Sequence, residues 1–115
     1  MDCVFCKIAA KEIPVEFLYE DDLVVAFRDH NPIAPVHVLV IPKKHIASIT
    51  DISEADEQLM GRMIVAAKKV ADKLQISEKG YKLLFRVGEH GGQEVGHIHL
   101  HLIGGAPLSE NIKPV

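Results

Sequence analysis

The sequence predicts an α+β fold: an antiparallel sheet of about five strands, one long helix packed on it, and a short helix near the N-terminus. Three observations carry this. Five short runs have strand character, with alternation or a high content of β-branched residues. A single stretch, beginning near Ser53, carries apolar residues at helical spacing. One long helix cannot supply the crossovers that a parallel sheet needs, so most neighbouring strands must run antiparallel.

In chain order, Phe5–Ala10 reads as the short helix, stopped ahead of Pro14. Phe17–Glu20 and Leu23–Asp29 read as strands, separated by the turn signal Asp21-Asp22. The segment Asp29-His30-Asn31-Pro32-Ile33-Ala34-Pro35 is a loop, because two prolines fix φ and remove donors. Val36–Ile41 is strongly β-prone and reads as a central strand ended by Pro42. Ser53 is a helix N-cap, and Glu54 and Asp56 put negative charge where the helix dipole favours it. Leu59, Met60, Met63, Ile64, Ala67, Val70, Ala71 and Leu74 form the apolar stripe, and Gly80 lies just beyond the helix end. Tyr81, Leu83, Phe85 and Val87 alternate with Lys82, Leu84, Arg86 and Gly88 as a fourth strand. A loop containing Gly91-Gly92 leads to a fifth strand at His97–Ile103, which Gly104-Gly105 stops.

The bulk numbers set limits. A length of 115 residues predicts one domain, 1–115, with room for a core. The net charge is −3 and no Lys/Arg cluster forms a basic face, which argues against nucleic acid as a partner. No apolar run reaches a membrane span, and residues 1–10 lack the pattern of a signal peptide. The expectation is therefore a cytoplasmic protein with no membrane partner. Cys3 and Cys6, in C-x-x-C spacing, suggest a metal site or redox pair over a structural disulfide.

The chemistry concentrates in His97-Ile98-His99-Leu100-His101-Leu102-Ile103. Side chains two apart on a strand share a face, at about 6.6 Å spacing. Three histidines on one face can ligate a metal, or one can act as a nucleophile with its second nitrogen held by a carbonyl. His37, on its own strand, can join them. The loop Gly91-Gly92-Gln93 just before this strand favours the second reading, since glycines let backbone amides approach an anion.

The H-x-H-x-H pattern followed by apolar residues resembles the signature of the histidine triad family. So do Cys3-Val4-Phe5-Cys6-Lys7-Ile8, Ile13-Pro14, Phe27-Arg28-Asp29 with Asn31-Pro32, Ile41-Pro42-Lys43-Lys44-His45, and Gly91-Gly92-Gln93-Glu94-Val95. The resemblance covers nearly the whole chain and is nearest the bacterial, nucleotide-binding phosphoramidase branch. It implies a homodimer that hydrolyses purine nucleoside phosphoramidates to a nucleoside monophosphate and an amine. It implies His99 as the nucleophile, His101 as a phosphate contact, and His97 and His37 as supporting histidines. It sets Asp29 at the ribose, with His30 beside it at the base. Gly92, Gln93 and Glu94 fall around the phosphate, and Arg86 near ribose and phosphate, where this branch usually has Asn. Cys3, Cys6, His45 and His97 match positions that hold a structural zinc in bacterial relatives; if so, His97 anchors the strand and does not touch substrate. Catalysis itself needs no metal, because the leaving nitrogen can be protonated. Two alternatives stand beside this: a dinucleoside polyphosphate hydrolase, and a nucleotide-binding partner protein with little turnover.

Overall fold

A computed structural model describes residues 3–115. Helix α1 spans Val4–Ala9 and helix α2 spans Glu57–Lys73; the strands are β1 (Tyr19–Glu20), β2 (Val24–Arg28), β3 (Val36–Pro42), β4 (Tyr81–Phe85) and β5 (Leu100–Gly104). They form one five-stranded sheet in the order β1-β2-β3-β5-β4, with every pairing antiparallel. The predicted fold class is thus the observed one.

Pleating divides the strands between two apolar layers. Val24, Ala26, Val38, Val40, Leu100 and Leu102 face α2, where they meet Leu59, Met63, Ala66, Ala67, Val70 and Ala71. Val25, Phe27, Leu39 and Ile41 face the other way and are covered by Cys3, Phe5 and Ile8 of the α1 region. Burial on both faces explains the unbroken apolar runs of β2 and β3. Each fully buried side chain of this size contributes about 1.5–3 kcal/mol by leaving water. On this same face His37 of β3 and His101 of β5 take the place of apolar side chains, so it becomes polar at one end.

Several details differ from the sequence expectation. Ser53 caps a 3₁₀ turn, Glu54–Asp56, that runs directly into α2; its hydroxyl accepts from the Ala55 amide, and Asp56 accepts from the Ser53 amide. Ile64 is half exposed, and Ala66 takes the buried position in its place. Helix α2 ends well before Gly80. Gln75 adopts a left-handed φ of 61°, and the Ile76 and Gln75 amides donate to Ala71 and Asp72 carbonyls, closing a Schellman motif. The β1–β2 turn is anchored by Asp21, whose carboxylate accepts from the Leu23 and Val24 amides, the Tyr19 hydroxyl and Arg62 of α2. Burial opposes ionisation of Asp21, but those four donors hold its carboxyl well below the usual range.

The largest difference concerns the histidine strand. Ladder pairing with β3 and β4 begins at Leu100, not His97. Residues 95–97 bend, and the Ile98 amide instead donates to the Ile46 carbonyl at 2.7 Å. The bend carries His97 away from β3's histidine and toward the N-terminal cysteines.

Candidate active site and metal-ligand cluster

His37, His97, His99 and His101 are all buried, at 5%, 0%, 8% and 6% exposure. Buried polar atoms are mostly hydrogen-bonded, and the partners of these rings assign each proton. A carbonyl only accepts. His97 Nε2 lies 2.8 Å from the Pro42 carbonyl, so Nε2 carries the proton and Nδ1 a lone pair. His99 Nδ1 lies 2.8 Å from the His97 carbonyl, so the lone pair of His99 is on Nε2. The Ile33 amide donates to His37 Nδ1 at 3.2 Å, which puts the His37 proton on Nε2. That proton faces His101 Nδ1 at 2.9 Å and Asp29 Oδ2 at 3.4 Å. His101 Nδ1 accepts it, so the His101 proton sits on Nε2. That atom is buried and has no hydrogen-bond partner among the described residues.

Burial favours the neutral forms of His37, His97 and His101. It pushes His101 down to about 4, helped by the neighbouring His99, His37 and Arg86, with Asp29 opposing. Burial also lowers His37, again against the pull of Asp29. The result is a lone pair on His99 Nε2 beside an unanswered N–H on His101, with the two rings 4.9 Å apart between centroids. A nucleophile next to a donor suits an electrophile that carries an anionic oxygen.

His97 belongs to a different group. Its Nδ1 lone pair points at Cys3 Sγ (3.3 Å), Cys6 Sγ (3.6 Å) and His45 Nδ1 (3.1 Å), and Cys6 Sγ lies 3.2 Å from His45 Nδ1. All four ligand atoms fall within 4.8 Å of one another. A tetrahedral zinc with these donors would space them by roughly 3.3–3.8 Å. Two thiols this close resist ionising together: burial, then Cys3, push the Cys6 thiol up. A cation relieves that repulsion, so the donor set fits a closed Cys2His2 metal site. Cys3 also caps α1, its sulfur accepting from the Cys6 amide.

The remaining predicted residues divide. Asp29 Oδ1 accepts from the Asn31 amide, and its other oxygen stays near His37. His30 is fully exposed and contributes no wall. The sequence reads this glycine loop as an anion cradle; two of its amides bond within the loop itself. The Gly92 amide donates to Glu89 and the Gln93 amide to Gly88, both inside the loop. The Gln93 side chain is a brace: it accepts from the Gly88 amide and donates to the Ala47 and Val95 carbonyls. A Cβ on Gly91 would meet the Val87 carbonyl at 2.3 Å, so that position admits only glycine. Glu94 is exposed on a groove of about 480 Å³ shared with Ala47, Ser48 and Glu89. Arg86 lies over Gly92, its Cδ and Nη1 3.8 Å from where a Cβ would stand.

Sequence reasoning missed four contributors. They are the Pro42 and His97 carbonyls, the Ile33 amide, and Phe5, whose ring sits edge-on to His97 (5.9 Å) and His99 (5.2 Å). Three are backbone groups, which leave no mark in residue type. Phe5 looks like an ordinary core residue in a short helix.

Comparison with known proteins places the chain in a family. The profile of the HIT domain matches residues 10–108. A purine nucleoside phosphoramidase of Escherichia coli K12 is 50% identical over 107 residues, covering 93% of this chain and 90% of that protein. A HIT family hydrolase from Legionella pneumophila superposes with a TM-score of 0.93 at 50% identity, covering 96% of this chain and 98% of its own. A histidine triad protein from Clostridium difficile gives 0.94 at 43% identity, with 97% of both chains covered.

Proposed function

This chain belongs to the HIT domain family, and from that premise we propose that it is a purine nucleoside phosphoramidase working through a covalent His99–nucleotide intermediate. The observation that carries the covalent step is the tautomer of His99: its Nδ1–H is fixed on the His97 carbonyl, which leaves Nε2 as a free nucleophile. In the first half-reaction Nε2 bonds to the α-phosphorus and the phosphorus–nitrogen bond breaks. The leaving nitrogen takes up a proton and departs as the amine. In the second, water adds to phosphorus, the bond to Nε2 breaks, and the nucleoside monophosphate is released. The unpartnered Nε2–H of His101 is the donor for a phosphoryl oxygen. His37 acts through His101, fixing its tautomer, and Asp29 offers a carboxylate to the ribose hydroxyls.

Cys3, Cys6, His45 and His97 hold a structural zinc in this reading, and the donor spacing supports it. Held by these four residues, an ion would tie α1 to the segment whose carbonyl orients His99. The chain acts as a homodimer and as one domain over 1–115. The free edge of β4 and the exposed apolar side chains Ile64, Val65 and Leu83 support self-association. Its setting is the cytoplasm, supported by the unpaired cysteines; no helix among the described residues is long and apolar enough to cross a membrane.

The test is turnover of adenosine 5′-phosphoramidate by the wild type and by His99→Gly. The expected loss is about 10⁴-fold or more in kcat. Full activity in the variant overturns the proposal.

A further inference from the structure

We propose that Arg86 is a catalytic residue, a guanidinium that grips the nonbridging oxygens of the α-phosphoryl group and stabilises the charge that develops as His99 displaces the amine. This rests on the phosphoramidase reading above and adds to it a charged group that the Gly92 and Gln93 amides do not replace.

The first argument is register. Strand β4 pairs with β5 as Leu84↔His101 and Phe85↔Leu100. Carried one residue past the last rung, the same ladder sets Arg86 opposite His99. Residues directly opposite share a face, with Cβ atoms about 4.5–5.5 Å apart. Arg86 therefore leaves β4 on the side of the sheet that carries the nucleophile.

The second argument is availability. Among the described residues, no carboxylate pairs with Arg86, and it makes no hydrogen bond to protein. Several other cations of the chain are engaged: Arg62 holds Asp21 and Asp22, Lys43 holds Glu20, and Lys44 holds Asp56. Arg86 lies instead against Gly92, where the left-handed φ of 78° and the missing side chain leave it room. Its charge is felt at His37 and His101, lowering both, which puts it on the catalytic side of the loop.

The third argument is need. Displacement at phosphorus concentrates negative charge on the nonbridging oxygens. Donors must already point there for the reaction to be fast. The amides of Gly92 and Gln93 do not, being committed inside their own loop. His101 supplies a single neutral N–H. A guanidinium offers five planar donors and a full charge, matched to a phosphoryl group in bidentate contact. As Nε2 bonds to phosphorus, the P–N bond electrons go to the leaving nitrogen, which takes its proton from solvent. Arg86 keeps all of its own protons throughout and acts by charge alone.

The experiment compares wild type, Arg86→Ala, Arg86→Gln and Arg86→Lys on adenosine 5′-phosphoramidate, with circular dichroism to establish the fold of each. Alanine and glutamine are expected to lower kcat by about 100-fold, with KM changed far less, and lysine to fall between. Guanidinium ion at millimolar concentration is expected to restore part of the lost kcat to Arg86→Ala, while sodium chloride at equal ionic strength does not. An unchanged kcat in folded Arg86→Ala overturns the role. So does a loss confined to KM, or a kcat loss that guanidinium restores no better than salt. Absence of wild-type turnover removes the phosphoramidase reading and Arg86's role with it; wild-type turnover with an unaffected alanine variant removes the role of Arg86 alone.

Discussion

Two clusters on one sheet face share the same residue type and differ in what they can bind. At one end Cys3, Cys6, His45 and His97 bring four ligand atoms together; at the other Asp29, His37 and His101 also converge within 4.8 Å. Distance alone makes both look like metal sites. Proton placement separates them. His97 gives its proton to the Pro42 carbonyl and turns a lone pair toward the thiols. His37 accepts from the Ile33 amide and turns an N–H toward His101 and Asp29. A metal cannot take an N–H, so the second cluster is a hydrogen-bond relay ending at His101 Nε2. His99 stands between them, its proton held by His97's own carbonyl. The backbone groups behind the rings, not the rings themselves, decide which histidine ligates, which donates and which attacks.

The comparison breaks most visibly at the metal end. Replacing Cys3 and Cys6 together by Ala is expected to abolish zinc binding and cost on the order of 4 kcal/mol of stability. Asp29→Asn should leave metal content unchanged. Elemental analysis of purified protein and denaturant unfolding check both halves. Retention of stoichiometric zinc without the cysteines would merge the two clusters again.

The relay end shows itself through pH. Folded His101 titrates near 4, against an ordinary 6.5. Between those values the unfolded chain binds a proton that the folded chain refuses. Stability from this group is therefore complete above about 6.5 and is lost as pH falls toward 4. The loss amounts to roughly 3 kcal/mol. Denaturant midpoints across that window should fall for wild type and fall less for His101→Phe.

A smaller effect sharpens the relay itself. His37→Phe removes the N–H that fixes the His101 tautomer while filling the space. It should lower kcat about 10–100-fold, with metal content unaltered. Equal kcat in wild type and variant would show that His101 needs no such partner.

The sequence made the fold legible because its evidence is periodic. Alternation at 81–88 and the helical stripe from Leu59 name a strand and a helix wherever the chain goes. Antiparallel pairing then follows from having one long helix. Cys3, Cys6, His45 and His97 were readable as a set through the resemblance, and the structure brings all four together. What periodicity could not show was the bend at 95–97, which ties Ile98 to Ile46 and removes His97 from the strand. Nor could it show that Gly92 and Gln93 turn their amides inward, since Gly-Gly permits either arrangement. The chain leaves helix α2 through left-handed Gln75 for a similar reason: such a residue need not be glycine when the following Ile76 is buried in the core.

The central claim is that His99 Nε2 forms a bond to phosphorus, and rapid quenching followed by mass spectrometry reads it directly. Wild type mixed with adenosine 5′-phosphoramidate and quenched within the first turnover should carry one adenylyl group, located by peptide fragmentation on His99. An adduct on His97, His101 or His37, or steady turnover through an enzyme that never carries an adduct, would contradict the account.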